Sequence, residues 1–92
     1  MPEISHDTIW VIDDSTINQK ILKRILETYY PVRCESDARV AIERMHAEMQ
    51  QLGGIIVDLH MPGFSGLDFL EHCHQDRIFT DITILVATSE EQ

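Results

Sequence analysis

Ninety-two residues are enough for one hydrophobic core and short for a second, and 16 acidic against seven basic side chains leave a formal charge of -9. Such a chain is a poor partner for a nucleic-acid backbone, because its largest basic group, Lys20, Lys23 and Arg24, is too small to reverse that balance. No segment approaches the about 18 apolar residues of a membrane span, and residues 1–8 lack the basic flank and apolar run of a signal peptide, so no membrane association and a cytoplasmic location are expected.

In chain order, Ile9 to Ile12 form a compact apolar run that stops at Asp13 and Asp14, the pattern of a buried first strand. From Ser15 the period changes. Ile17, Ile21, Ile25 and Tyr29 recur every four residues, Leu22 and Leu26 widen the stripe, and Gln19, Lys20, Lys23, Arg24 and Glu27 fill other faces. That spacing predicts an amphipathic helix with Asp14 or Ser15 as its cap. Tyr30-Pro31 ends it, since the residue before proline disfavours the helical region, and VRCES at 32–36 is a short strand candidate. Asp37 caps a second helix over roughly 38–50, with Ala38, Ala41, Ile42, Met45, Met49 and Leu52 at helical spacing and Gly53-Gly54 as its stop. IIVDL at 55–59 reads as a strand, His60 to Ser65 as a turn, and Leu67, Phe69, Leu70 and Cys73 as apolar positions of a third helix. ITILVATS at 82–89 reads as the fourth strand. Short parallel strands joined by single helices favour an open three-layer α/β fold.

In an open parallel sheet the carboxyl ends of neighbouring strands share one edge, so Asp13, Asp14, Asp58 and Thr88 are expected to converge there. Taken singly, each has an ordinary use: a helix cap for Asp13 or Asp14, a turn cap for Asp58, a strand terminus for Thr88. Taken together, several carboxylates repel one another unless a cation compensates them, and Mg²⁺, which asks for hard oxygen ligands, suits the set. The five histidines show no zinc spacing, and Cys34 and Cys73 match neither a close-spaced metal pair nor a disulfide framework. Both thiols are expected to serve as small apolar groups in a reducing compartment.

The DD at 13–14, VDLHMPG at 57–63 and LVATS at 85–89, in this combination and spacing, resemble the receiver domain of two-component response regulators, from about Thr8 to the final residues. The resemblance implies a flavodoxin-like (CheY-like) open parallel sheet with strands in the order 2-1-3-4 and three helices. It implies that Asp58 is the phosphoacceptor, Asp14 a direct Mg²⁺ ligand, and Asp13 a metal-site carboxylate acting chiefly through coordinated water. The His60 backbone carbonyl would complete the protein ligands, and the Thr88 hydroxyl would hydrogen-bond the phosphoryl group. The implied donor is a phosphohistidine on a histidine kinase or histidine phosphotransfer protein. Met61, Pro62 and Gly63 would shape the turn, and Ser65 could cap the third helix.

Beyond its fourth strand the family pattern continues with a helix, a fifth strand ending in a Lys that pairs with the acceptor carboxylate, and a last helix. These 92 residues contain no counterpart, and Lys20, Lys23 and Arg24 are the unproven substitutes for that charge. Residues 1–92 are therefore expected to form a single receiver-like domain without the last helix-strand-helix portion. Apolar sheet surface, one face of the first helix and a strand edge should then be bare, a surface that invites self-association or a completing partner segment. Two other functions stay open: an interaction or dimerisation module without phosphotransfer, and a metal-dependent hydrolase, which lacks a convincing base and nucleophile pair.

Overall fold

The computed structural model describes residues 7–59, 61, 63, 65–75 and 82–87; the expected roles of His60, Pro62, Thr88 and Ser89 fall outside these residues. The apolar runs form strands β1 (Thr8–Ile12), β2 (Val32–Glu35), β3 (Leu52–Asp58) and β4 (Thr83–Ala87). The amphipathic stretches between them form helices α1 (Thr16–Leu26), α2 (Ala38–Ala47) and α3 (Gly66–Gln75), with a 3-10 turn at Met49–Gln51. Every strand pair is parallel and the order across the sheet is β2-β1-β3-β4, the expected open α/β arrangement of the flavodoxin-like type.

β1 is a central strand because Trp10, Val11 and Ile12 are at most 1% exposed, so both of its faces are covered. Alternation along the strands sends Trp10 and Ile12, with Ile55 and Val57 of β3, to one face of the sheet. There Ala38, Ala41, Ile42 and Met45 of α2 and Phe69 and Cys73 of α3 close a single buried cluster. Ile9 and Val11 lie on the opposite face, which α1 alone covers among the described helices. No helix among the described residues is long and apolar enough to cross a membrane.

Two boundaries differ from the sequence expectation. α2 ends at Ala47, before the expected stop near residue 50, and the 3-10 turn leads straight into β3, which begins at Leu52. Leu52, Gly53 and Gly54 are thus strand residues and not the end of a helix. Thr8 pairs with Leu52 while the next residue, Ile9, pairs with Gly54, which makes Gly53 an extra residue on β3, a bulge. The bulge resets the alternation, so Leu52 is fully buried in the same cluster as Ile55.

The second difference concerns α1, which ends at Leu26, where the Glu27 N–H donates to the Lys23 carbonyl at 2.8 Å; Tyr29 lies in the following turn. No residue of α1 is buried. Leu22 and Leu26 are half-buried, whereas Ile17, Ile21 and Ile25 are 68%, 53% and 59% exposed. Leu85 and Val86 of β4 are exposed as well.

Candidate functional site

β1 and β3 lie side by side, and their pairing of Ile12 with Val57 makes Asp13 and Asp58 the next residues at the carboxyl edge. Both are 5% exposed, while Asp14 stands in solvent. One carboxylate oxygen from each of Asp13, Asp14 and Asp58 lies within 4.8 Å of the other two. Three carboxylates at that spacing form a focus of negative charge, so the site favours whatever donors or cations reach it.

Asp13 is held from several directions. Its Oδ1 accepts the Ser15 N–H at 2.9 Å, its Oδ2 accepts the Asn18 side-chain amide at 3.3 Å, and its backbone carbonyl accepts the Gln19 side-chain amide at 2.5 Å. The Asp13 N–H in turn donates to the Glu35 carbonyl of β2 at 3.0 Å. The three side-chain and backbone donors belong to Ser15 and the first turn of α1, where the Ser15 Oγ accepts the Asn18 N–H at 3.2 Å. Ser15, not Asp14, therefore caps α1. Asp14 instead lines an open cleft with Ser36, Asp37, Arg39, Met61 and Gly63.

On the other side, the Leu59 N–H donates to the Ala87 carbonyl at 3.1 Å, so β3 and β4 stay paired past Asp58. Met61 turns back into the core, and Gly63 takes a φ of 74°, a left-handed conformation that glycine adopts without a Cβ clash. Ser65 caps α3 as expected: its Oγ accepts the Asp68 N–H at 3.2 Å, and the Asp68 carboxylate accepts the Ser65 N–H at 2.9 Å and hydroxyl at 3.1 Å. This is a reciprocal capping box with Asp in the acidic position. Gly66 then passes so close to the strand end that a Cβ there would fall 2.6 Å from Leu59 Cα and closer still to the Asp58 carbonyl oxygen.

The structure brings together Asp13, Asp14 and Asp58. Asn18, Gln19 and Gly66 were not foreseen as parts of the site. For Asn18 and Gln19 the only signal was position, one turn beyond a capped helix start, from which a side chain reaches back to residue 13. Gly66 carried a clearer one, because glycine within a helix costs about 1 kcal/mol relative to alanine and asks for a packing reason. Lys23 does not substitute for an acceptor-site Lys: it lines a separate cleft with Tyr29, Tyr30 and Pro31, beyond the amino ends of the strands, and its charge acts on Cys34. Cys34 is half-buried with its Sγ 3.8 Å from the Gln19 carbonyl, and burial pushes its thiol pKa up, opposed in part by Lys23. Cys73 is buried in the core, the small apolar role expected of it.

The donor set is all oxygen and all hard, which fits a Mg²⁺-like divalent ion better than a thiophilic one. A profile of the response regulator receiver domain family matches residues 9–92. Stress response regulator protein 1 of Candida dubliniensis is 29% identical over 93 residues, an alignment covering 97% of this chain and 32% of that protein. The sensory/regulatory protein RpfC of Xanthomonas campestris is 40% identical over 62 residues, 66% of this chain and 8% of its own length. The chain thus spans at most about a third of these two relatives. A response regulator receiver protein from Pseudomonas putida has the same fold, with a TM-score of 0.83 at 23% identity over 94% of this chain and 70% of that one. Because that profile covers all but the first eight residues, and two adjacent parallel strands end in the acidic cluster described above, the chain belongs to the response regulator receiver domains, the phosphoacceptor modules of two-component signalling.

Proposed function

We propose that Asp58 is the phosphoacceptor and that Asp13, Asp14 and Asp58 hold Mg²⁺ during its use. The convergence of these three carboxylates on one strand edge carries the reading. Asp58 sits where strand burial ends, so one carboxylate oxygen faces the edge while the backbone behind it is fixed by β1 and β4. That oxygen attacks the phosphorus of a phosphohistidine on a histidine kinase or histidine phosphotransfer protein. The new O–P bond forms as the N–P bond breaks, and the imidazole nitrogen keeps the electron pair; with the donor ring protonated on its other nitrogen, it leaves as neutral imidazole, and the aspartyl phosphate is later hydrolysed by water. Mg²⁺ supplies screening between the carboxylate and the incoming phosphoryl oxygens. Asp14, the exposed member, is suited to direct ligation, and Asp13, already engaged by Ser15 and Asn18, to contact through water. The His60 carbonyl and the Thr88 hydroxyl complete the proposed set.

Incubation of the folded chain with Mg²⁺ and a small acyl phosphate, followed by rapid intact-mass measurement, tests the assignment. One phosphoryl adduct is expected, absent without Mg²⁺ and absent in Asp58→Asn. An adduct that persists in that variant would move the acceptor elsewhere. No adduct on a trapped, folded sample would favour a second reading, an interaction module that no longer takes phosphate, for which the bare apolar surface of α1 and β4 is the supporting observation. That surface also supports association of the chain with itself or with a completing segment.

A further inference from the structure

We infer that Asn18 is a positioning residue of the acidic cluster: its side-chain amide fixes the rotation of the Asp13 carboxylate and thereby biases the site toward Mg²⁺ over Ca²⁺. The inference rests on the reading that Asp13, Asp14 and Asp58 hold a divalent ion. Ser15 is the cap of α1, which makes Asn18 the third residue of the helix, the position from which the side chain of a capping box reaches back to the cap. The two serine-capped helices use that position in opposite ways. In α3 it is Asp68, whose carboxylate accepts the Ser65 N–H at 2.9 Å. In α1 the Ser15 N–H goes to the Asp13 Oδ1 instead, also at 2.9 Å, and the third residue is an amide that donates to the Asp13 Oδ2 at 3.3 Å. An ionised carboxylate only accepts, so nothing but a donor serves there.

Helix stability alone argues against asparagine at this place. It forms helix less readily than glutamate or glutamine, and the positive end of the helix dipole favours an acid, yet the first turn of α1 contains none while that of α3 contains Asp68. The difference has a cause in the cluster: an acid at residue 18 would set a fourth negative charge against Asp13, whereas the amide steadies it. With Oδ1 and Oδ2 each tied to the start of α1, and only 5% of the residue exposed, Asp13 is held from turning to offer both oxygens to one ion. That restraint separates the two common divalent ions of hard-oxygen sites. Mg²⁺ takes near-octahedral ligands at about 2.0–2.1 Å and keeps several waters, which a fixed carboxylate meets with one oxygen or through water. Ca²⁺ takes about 6–8 oxygens at about 2.3–2.6 Å and commonly gathers them from bidentate carboxylates.

Calorimetric titration of the parent chain, Asn18→Leu and Asn18→Ala with Mg²⁺ and with Ca²⁺ tests this, with Gln19→Leu as comparator because the Gln19 amide holds the Asp13 backbone carbonyl and not its carboxylate. Leucine and alanine both favour helix over asparagine, so both Asn18 variants should keep the parent's circular dichroism spectrum. Their Mg²⁺ affinity should fall about tenfold, the lower end for loss of a group that orients a metal ligand, and their Ca²⁺ affinity should hold or rise, so the preference for Mg²⁺ drops by about tenfold or more. Gln19→Leu should weaken both ions together and leave the preference in place. A parent that binds Mg²⁺ beside Asn18 variants of unchanged preference would overturn the inference alone, as would a Gln19→Leu protein that loses the preference to the same extent. Loss of the fold in both Asn18 variants would make Asn18 a structural residue and overturn it too. A parent that binds neither ion would overturn the metal reading and the inference with it.

Discussion

Gly66→Ala reverses a familiar expectation. Inside a helix this change ordinarily stabilises by about 0.5–1 kcal/mol, because alanine loses less backbone freedom on folding. At Gly66 the added Cβ would lie 2.6 Å from Leu59 Cα and 2.9 Å from the Asp58 carbonyl carbon. Carbon atoms rest at about 3.5–4.0 Å, so α3 or the end of β3 must retreat by roughly 1 Å. Gly66 is the first residue of α3, where the helix gain is at the low end of that range, and overpacking of that order costs about 1–3 kcal/mol, which leaves a net loss of about 0.5–2.5 kcal/mol. The displaced backbone is that of Asp58 itself, and a misplacement of about 1 Å at a reacting group lowers rates by as much as about 100-fold. Urea unfolding read by circular dichroism gives the first quantity, and the initial rate of phosphoryl uptake by intact mass gives the second. A Gly66→Ala protein as stable as the parent, with unchanged uptake, would refute the argument that α3 is seated against the acceptor strand through this glycine.

Three further outcomes follow from the same geometry. Ser65→Ala removes the two hydrogen bonds of the Ser65 hydroxyl with Asp68 and keeps the one from its backbone N–H, and should lower the unfolding free energy by about 1 kcal/mol, read from the urea midpoint at constant slope. Asp14→Asn relieves repulsion in the acidic cluster, so without divalent ions it should raise stability by up to about 1 kcal/mol, whereas Mg²⁺ should stabilise the parent and not the variant; thermal melts with and without Mg²⁺ decide it. Because burial raises the Cys34 pKa in the folded chain, its alkylation should reach half-maximal rate at higher pH in native than in urea-unfolded protein, as peptide-resolved mass spectrometry would show. The sign for stability follows: the contribution of the protonated thiol is complete below the unfolded pKa and is lost as pH rises through the folded one.

The strands were the most legible part of the sequence, since Ile9 to Ile12 and Ile55 to Val57 are apolar runs that only buried parallel strands require. Their acidic endings followed from topology: once two such strands are neighbours, Asp13 and Asp58 meet whatever the intervening chain does. The β3 start was not legible, because a bulge at Gly53 moves Leu52 onto the core side and thereby imitates the next step of a helical stripe. The α1 stripe misled differently. Periodicity reveals that Ile17, Ile21 and Ile25 share a face but not whether anything covers it, and here the half-buried ridge beside it, Leu22 and Leu26, faces the sheet. Hydrogen bonds such as Asn18 to Asp13 were beyond the sequence because they depend on how the β1–α1 turn is closed.

The only tryptophan of the chain, Trp10, is 1% exposed in the layer beneath α2 and α3, and its indole N–H has no acceptor among the described residues. A single buried emitter is a reporter with a known address. Loosening of the α2 and α3 layer would expose the indole to water and shift the emission to the red, while events confined to the α1 side would leave the spectrum still. Intrinsic fluorescence therefore distinguishes the two sides of one sheet without any label.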